Sequence, residues 1–210
     1  MAKVRKIERA PPVGRNYYLA DANFLINRCL PLSAIAPGPD RDRVKACQDW
    51  WAEINAQLVR RHARVYIPDV CIAESFKALA SLRFSAKKLS AAEFAKARKQ
   101  LSSFVRIETK TLRGFSRNIR VHDISTHRDI IISVERFFEL FAKHKKNVQI
   151  ADLILVATAK YLMDFYDVPK DLPHIVTMDN ALREGISKAV ELPNAYDPTR
   201  PGHRAAVVFI

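Results

Sequence analysis

Four acidic residues stand where an α/β protein would place its chemistry. Asp21 and Asp179 each end a short apolar run, and Glu74 and Asp152 each lie in the first turns of an apolar helical segment. Converging carboxylates repel one another unless a cation joins them, and oxygen ligands of this kind suit Mg²⁺ or Mn²⁺. Divalent ions held by carboxylates activate water and stabilise displaced phosphate oxygens. These four acids are therefore the candidate catalytic and metal-binding residues.

A predicted strand positions the first of these acids. Residues 17–21 are apolar up to Asp21, and a helix is predicted directly after them, over about 23–30. In open α/β sheets, functional groups collect in the crevice outside the carboxyl ends of the strands. Asn23, two residues on, can fix the turn or hold the carboxylate through its amide. In the alternative interpretation, Asp21 only caps the helix.

The same order of strand, acid and helix recurs near the C-terminus. Residues 174–177 predict a strand, Asp179 follows it, and a helix begins at about residue 181. Asp69 is expected to cap the helix that carries Glu74, and Ser90 is expected to open another helix as a capping box. The remaining expectations are a strand over 64–68, helices over 43–61, 70–82, 90–103, 127–145 and from about 150, loops over 31–42 and 193–202, and an edge strand over 206–210.

The charge of the chain is strongly positive. Its 35 Lys and Arg residues against 22 acids give a net charge of +13 and a pI near 9.9, which favours a polyanionic partner. Eleven of these cations lie between residues 83 and 120, where a β-hairpin over 104–124 is predicted and Phe84, Phe104 and Phe115 could stack on bases. A solvated helix face with core phenylalanines is the alternative. The candidate nucleic-acid-binding residues are Lys87, Lys88, Arg98, Lys99, Arg113 and Arg117.

The composition predicts one folded domain. With 49% hydrophobic residues, the chain can bury a core over residues 17–210, preceded by a flexible basic arm over 1–16 and interrupted by a basic insertion at about 83–118. The three cysteines lack CxxC spacing, so buried free thiols are expected rather than a zinc site. No secretory signal or membrane-spanning segment is recognisable, which predicts a soluble cytoplasmic protein.

Four segments that contain the acids follow one another along the chain: LADAN (19–23), IPDVCIAE (67–74), IADLILVATA (150–159) and VTMD (176–179). Their order resembles that of the motifs of PIN-domain nucleases, a family that includes the ribonuclease toxins of VapC-type toxin–antitoxin pairs. The third segment is the most specific, because its acid, Asp152, opens an apolar helix in which Ala-Thr-Ala follows. The resemblance covers residues 17–82 and 119–185 and omits most of the basic insertion.

This resemblance implies a three-layer α/β/α sandwich with a central, mainly parallel sheet. It also implies that the four acids bind the metal, with Asn23 and Thr177 as supporting polar groups. RNA is the implied substrate, and an antitoxin protein and a second copy of the chain are the implied partners. The leading hypothesis is thus a Mg²⁺- or Mn²⁺-dependent endoribonuclease that hydrolyses phosphodiester bonds.

Two other hypotheses remain open on the sequence. A PIN-like domain could bind nucleic acid or protein without cutting, although four retained acids argue against this. A metal-dependent phosphatase of the haloacid dehalogenase type also begins with an acid at a strand end. That class usually carries a second aspartate two residues later, where this chain has Asn23.

Overall fold

A five-stranded parallel sheet organises the protein. The computed structural model describes residues 15–105 and 121–206. Within these ranges the strand order is β3-β2-β1-β4-β5. The strands are β1 (Asn16–Ala20), β2 (Ala63–Pro68), β3 (Val121–Ile124), β4 (Pro173–Val176) and β5 (Asn194–Tyr196). The helices are α1 (Ala22–Cys29), α2 (Pro39–Arg60), α3 (Asp69–Phe84), α4 (Ala91–Val105), α5 (Arg128–Lys143), α6 (Ile150–Tyr166), α7 (Asn180–Ile186) and α8 (Pro201–Ala206).

Helices cover both faces of the central strand β1, whose five residues are all buried. The Tyr18 hydroxyl donates to the Gln57 side chain of α2, at 3.0 Å, on one face. Tyr17 and Leu19 point the other way and line a small cavity with Leu162 of α6. Burial on both faces explains why β1 carries no alternating polar side after Asn16, since a parallel strand covered on both faces needs none. The predicted three-layer α/β/α fold class is confirmed.

The chain reverses its direction of travel across the sheet beside β1. From β1 the chain adds β2 and then β3 on one side, and it later adds β4 and β5 on the other side. All four strand pairings are parallel. The point between β1 and β4 is therefore a topological switch point, where the carboxyl ends of the strands leave a crevice for ligands.

A buried polar network lies at the opposite ends of the strands. The Asn16 amide donates to Gln57 Oε1 at 2.9 Å, and Asn16 Oδ1 lies 3.0 Å from His174 Nε2. His174 is buried among aromatic rings, and burial lowers its pKa to about 4. This network could not be predicted from the sequence, because its members come from β1, α2 and β4, which meet only in the folded protein.

Two helix starts differ from the sequence-based predictions. Helix α2 begins at Pro39, four residues before the predicted start, because proline is tolerated at the first helical position. Gly38, the residue before the helix, adopts a positive φ of 138°. Asp69 does not cap α3; it is the first residue of the helix. Its carboxylate instead accepts hydrogen bonds from the backbone and hydroxyl of Thr126, and so joins the ends of β2 and β3.

The predicted hairpin and the predicted C-terminal edge strand are wrong in their described parts. Phe104 belongs to α4, and β3 pairs in parallel with β2 rather than with a neighbouring antiparallel strand. Residues 194–196, predicted as loop, form the edge strand β5, and Ala206 belongs to α8. Residues 1–14, 106–120 and 207–210, including most of the predicted arm, lie outside the described residues.

The core contains both tryptophans and confirms the prediction that the cysteines are buried free thiols. Trp50 and Trp51 are buried, and Trp51 donates its indole N–H to the Phe24 carbonyl at 2.9 Å. Cys29, Cys47 and Cys71 are buried free thiols. Across the part of the chain that the structure describes, no helix has both the length and the apolar composition to span a membrane.

Candidate active site

Thr177 joins two of the predicted acids. Ala20 of β1 is in register with Val176 of β4, so the next residues of the two strands, Asp21 and Thr177, leave the sheet side by side. The Thr177 hydroxyl donates to Asp21 Oδ2 at 2.9 Å and accepts from the Asp179 backbone N–H at 3.0 Å. Asp179 in turn caps α7, because its Oδ1 accepts from the Leu182 N–H at 2.7 Å. One buried hydroxyl therefore fixes the geometry of both strand-end acids at the switch point.

Asp21 is the most buried of the four acids, at 5% exposure. Burial raises the pKa of Asp21 to about 7, the charges of Asp152 and Glu74 add to this rise, and the Thr177 hydrogen bond opposes it. Asp21 occupies the position before α1 but makes no side-chain capping bond to that helix. The alternative interpretation of Asp21 as only a cap is therefore not supported by its contacts.

Asp152 and Glu74 approach Asp21 from two helices. Asp152 forms a capping box at the start of α6, in which its Oδ2 accepts from the Gln149 N–H at 3.0 Å. Burial raises the pKa of Asp152, and the charges of Asp179 and Glu74 raise it further. Glu74 lies half-buried in the second turn of α3. The neighbouring acids thus contribute to the raised pKa values of Asp21 and Asp152.

The charge of this cluster is not balanced by nearby side chains. In residues 15–105 and 121–206, none of the four acids forms an ion pair with lysine, arginine or histidine. Within the same ranges, no three His, Cys, Asp or Glu side chains are arranged so as to hold a metal ion by themselves. Mg²⁺ typically keeps several waters and binds through one or two carboxylates together with substrate phosphates. One or two carboxylates of this cluster would suffice for an ion bound in that way.

Asn23 does not hold the Asp21 carboxylate in this structure. Its side chain is exposed on α1, and among the described residues the side-chain hydrogen bond to Asp21 comes from Thr177 instead. Asn23 still lies beside the site, two residues after Asp21, where its amide is open to a ligand.

Sequence reasoning missed a buried ion pair behind the site. Arg183 is 8% exposed and lies 2.9 Å from Asp197, which is equally buried. Arg183 also donates to the Thr177 carbonyl at 3.2 Å and to the Asn180 side chain at 3.0 Å. The position of Arg183 next to the apolar Leu182 could have indicated such a pair, because a charged residue that is buried with its neighbours needs a partner.

The predicted nucleic-acid-binding residues are only partly described. Arg98 and Lys99 lie exposed on α4. Lys87 and Lys88 follow α3, and Lys88 lies 3.9 Å from Asp40 on the surface. Arg113 and Arg117 lie outside the described residues, as does Phe115. Phe84 is exposed, whereas the Phe104 ring is covered by the Arg28 guanidinium.

The comparisons with known proteins identify the fold. No protein-family model and no curated protein matches the chain. Among solved structures, FitAB bound to an IR36 DNA fragment has a TM-score of 0.53 at 14% identity, over 87% of this chain and 96% of that one. FitAcB from Neisseria gonorrhoeae has a TM-score of 0.49 at 15% identity, over 86% and 97% of the two chains. VapBC2 from Rickettsia felis, bound to a promoter DNA fragment, has 0.49 at 8% identity, over 86% and 98%. At this identity the FitAB likeness establishes the fold alone, and the chain has the PIN-domain fold that its four motifs predicted.

Proposed function

We propose that this protein is a Mg²⁺- or Mn²⁺-dependent endoribonuclease. The observation that carries the proposal is the group of acids at the crevice between β1 and β4, none of which is ion-paired within residues 15–105 and 121–206. Such a cluster attracts a divalent cation, and a strongly basic chain attracts the RNA backbone that this cation would meet.

Each residue of the site has a separate role in this proposal. Asp21 and Asp152 offer carboxylate oxygens to the ion, and Glu74 and Asp179 complete the negative cluster. A bound divalent ion supplies charge neutralisation at the scissile phosphate and acidifies the attacking water. Thr177 holds Asp21 and the Asp179 backbone in place, and the exposed cations of α4 hold the RNA strand.

The test compares two aspartates on the same helix. In Asp152→Asn the amide oxygen can still accept from the Gln149 N–H, so α6 keeps its cap and the fold should persist. Cleavage of RNA should fall on the order of 10²–10³-fold, the scale on which loss of one group that stabilises the transition state reduces turnover. Asp164→Asn is the matched control, since Asp164 lies exposed at the other end of α6. Equal turnover in the two variants would sink the assignment.

We further propose that the chain is the toxin of a toxin–antitoxin pair, with a protein antitoxin as its partner. The support is the resemblance of the four motifs to VapC-type toxins and the fold shared with FitAB. Induced expression of the wild-type chain should arrest bacterial growth, and expression of Asp152→Asn should not. Normal growth with active wild-type enzyme would exclude the toxin role and leave the nuclease role standing.

One observation favours a second candidate, a PIN-like module that binds without cutting. In the ranges that the structure describes, the acids are not arranged as a complete metal site. A binding module would hold RNA equally well in EDTA, in Mg²⁺ and after replacement of Asp152 by Asn, and would release no cleaved product under any of these conditions.

A further inference from the structure

A large groove lies between α1, α2 and α4, at the end of α1 away from Asp21. Its volume is about 860 Å³. None of the residues that line it is an aspartate or glutamate, whereas Arg28, Lys96 and Lys99 all face it. The rest of the wall is largely apolar and includes Leu32 and Trp51. The groove thus combines three cations with apolar walls.

The three cations of the groove have no acidic partners among residues 15–105 and 121–206. The Arg28 guanidinium lies 3.8 Å from the centroid of the Phe104 ring, which fixes its plane against the wall. The Nε atom of Arg28 is buried and has no hydrogen-bond partner in the described part of the chain. A guanidinium held in this way and two ammonium groups in the same groove are suited to bind phosphate groups.

Helix α1 sets the distance between this groove and the acids. Asp21 lies directly before α1, and Arg28 lies in its last turn, seven residues later. A rise of 1.5 Å per residue separates them by about 10 Å along the helix axis. A stacked strand advances roughly 3.4 Å per nucleotide, so the separation corresponds to about three nucleotides. One nucleic-acid strand can therefore occupy the groove and reach the acids together.

We propose that this groove is a subsite for the sugar–phosphate backbone of single-stranded RNA, about three nucleotides from the position that is cut. The inference rests on the proposed nuclease function, because the distance of three nucleotides is counted from the position at which that nuclease would cut. Charge carries the choice of ligand, because the described residues that line the groove include three cations and no acid, and none of these cations is ion-paired within residues 15–105 and 121–206. The contacts address phosphates, so we expect little dependence on base sequence.

The experiment measures RNA binding in EDTA, where no metal-dependent cleavage occurs. A labelled uridine oligomer of about ten nucleotides is titrated with wild type and with Lys96→Gln/Lys99→Gln over a range of salt concentrations. Loss of two phosphate contacts should lower the slope of log K against log salt by about 1.4 and weaken binding roughly 20-fold near 0.1 M salt. Lys143→Gln/Lys188→Gln is the control, because it removes the same charge from exposed sites that do not line the groove.

Two results would overturn the subsite. Equal weakening by the control variant would show diffuse attraction by net charge, and unchanged binding by Lys96→Gln/Lys99→Gln would show that the strand lies elsewhere. Binding of a polyglutamate peptide provides the remaining comparison. If binding of the peptide depends on Lys96 and Lys99 and binding of the RNA does not, the groove binds an acidic protein segment. RNA that binds in the groove and is never cut would contradict the nuclease proposal and leave the subsite standing.

Discussion

At the scale of single residues, the Thr177 hydroxyl fixes the geometry of the site. Its hydroxyl donates to Asp21 and accepts from the Asp179 backbone, so both of its hydrogen-bonding functions are occupied. The four acids could be predicted from the sequence because each directly follows a strand or opens a helix. The Thr177 contacts depend on the register between β1 and β4, which residues far apart in the chain establish only on folding.

Replacement of Thr177 by valine tests this role. The variant keeps the shape of the side chain but frees the Asp21 carboxylate, so we expect cleavage to fall roughly 10–100-fold, as for other partners that orient metal ligands. Thr177→Ser should restore most of the activity, since it restores the hydroxyl. Turnover is measured at saturating RNA and Mg²⁺.

Thr158→Val is the matched control for removal of a buried hydroxyl. Thr158 is buried in α6, and its hydroxyl has no partner among the described residues. Its replacement should leave activity unchanged and should not lower the free energy of unfolding, because no hydrogen bond is lost. A similar loss of activity in both valine variants would contradict a specific role for Thr177.

At the scale of elements, a buried ion pair ties the end of β4 to the C-terminal part of the fold. Arg183 of α7 contacts Asp197, which follows β5, and also donates to the Thr177 carbonyl. Apolar periodicity predicted most helices and strands, including α6 and the two strands that carry the acids. It failed at β5 and α8, because a three-residue strand and a six-residue helix are too short to show a period.

Asp197→Asn should destabilise the protein markedly. It leaves the Arg183 charge buried without its partner, which typically costs about 3–5 kcal/mol in the free energy of unfolding. Urea unfolding followed by circular dichroism gives this value.

Asp164→Asn serves again as the control, because it breaks an exposed pair with Lys160 and should cost less than about 1 kcal/mol. A cost for Asp197→Asn as small as that of the control would show that the buried pair does not stabilise the fold.

At the scale of the whole molecule, the acidic site and a buried polar network lie at opposite ends of the sheet. The acids lie at the carboxyl ends of the strands, and the network of Asn16, Gln57 and His174 lies at the other ends. The net charge of +13 could be read from the sequence, and it predicts attraction of a polyanion. The sequence does not predict which cations contact that polyanion, because Arg28 and Lys96 come together only when α1 packs beside α4.

His174 makes the stability of the whole fold depend on pH. Burial lowers its pKa from 6.5 to about 4 in the folded state, so the unfolded chain binds a proton first as the pH falls. The contribution of neutral His174 to the free energy of unfolding is fully present above pH 6.5. It is lost as the pH falls towards 4, and the total loss is about 3 kcal/mol.

The measurement is the free energy of unfolding at a series of pH values for wild type and His174→Gln. Glutamine can still hydrogen-bond to Asn16 but does not titrate, so the variant should lose less stability between pH 6.5 and 4. Identical pH dependence in the two proteins would contradict the assignment to His174.

Cleavage of a mixed panel of single-stranded and structured RNA and DNA, with Mg²⁺, Mn²⁺ or EDTA, is the direct test of the proposed activity. We predict that the wild-type protein cuts RNA internally when either ion is present and that EDTA abolishes the cut. The reason is that burial and neighbouring acids raise the pKa of Asp21 and of Asp152, and a bound cation would stabilise their charged forms. Cleavage that persists in EDTA, or RNA that stays intact with every ion, would contradict it.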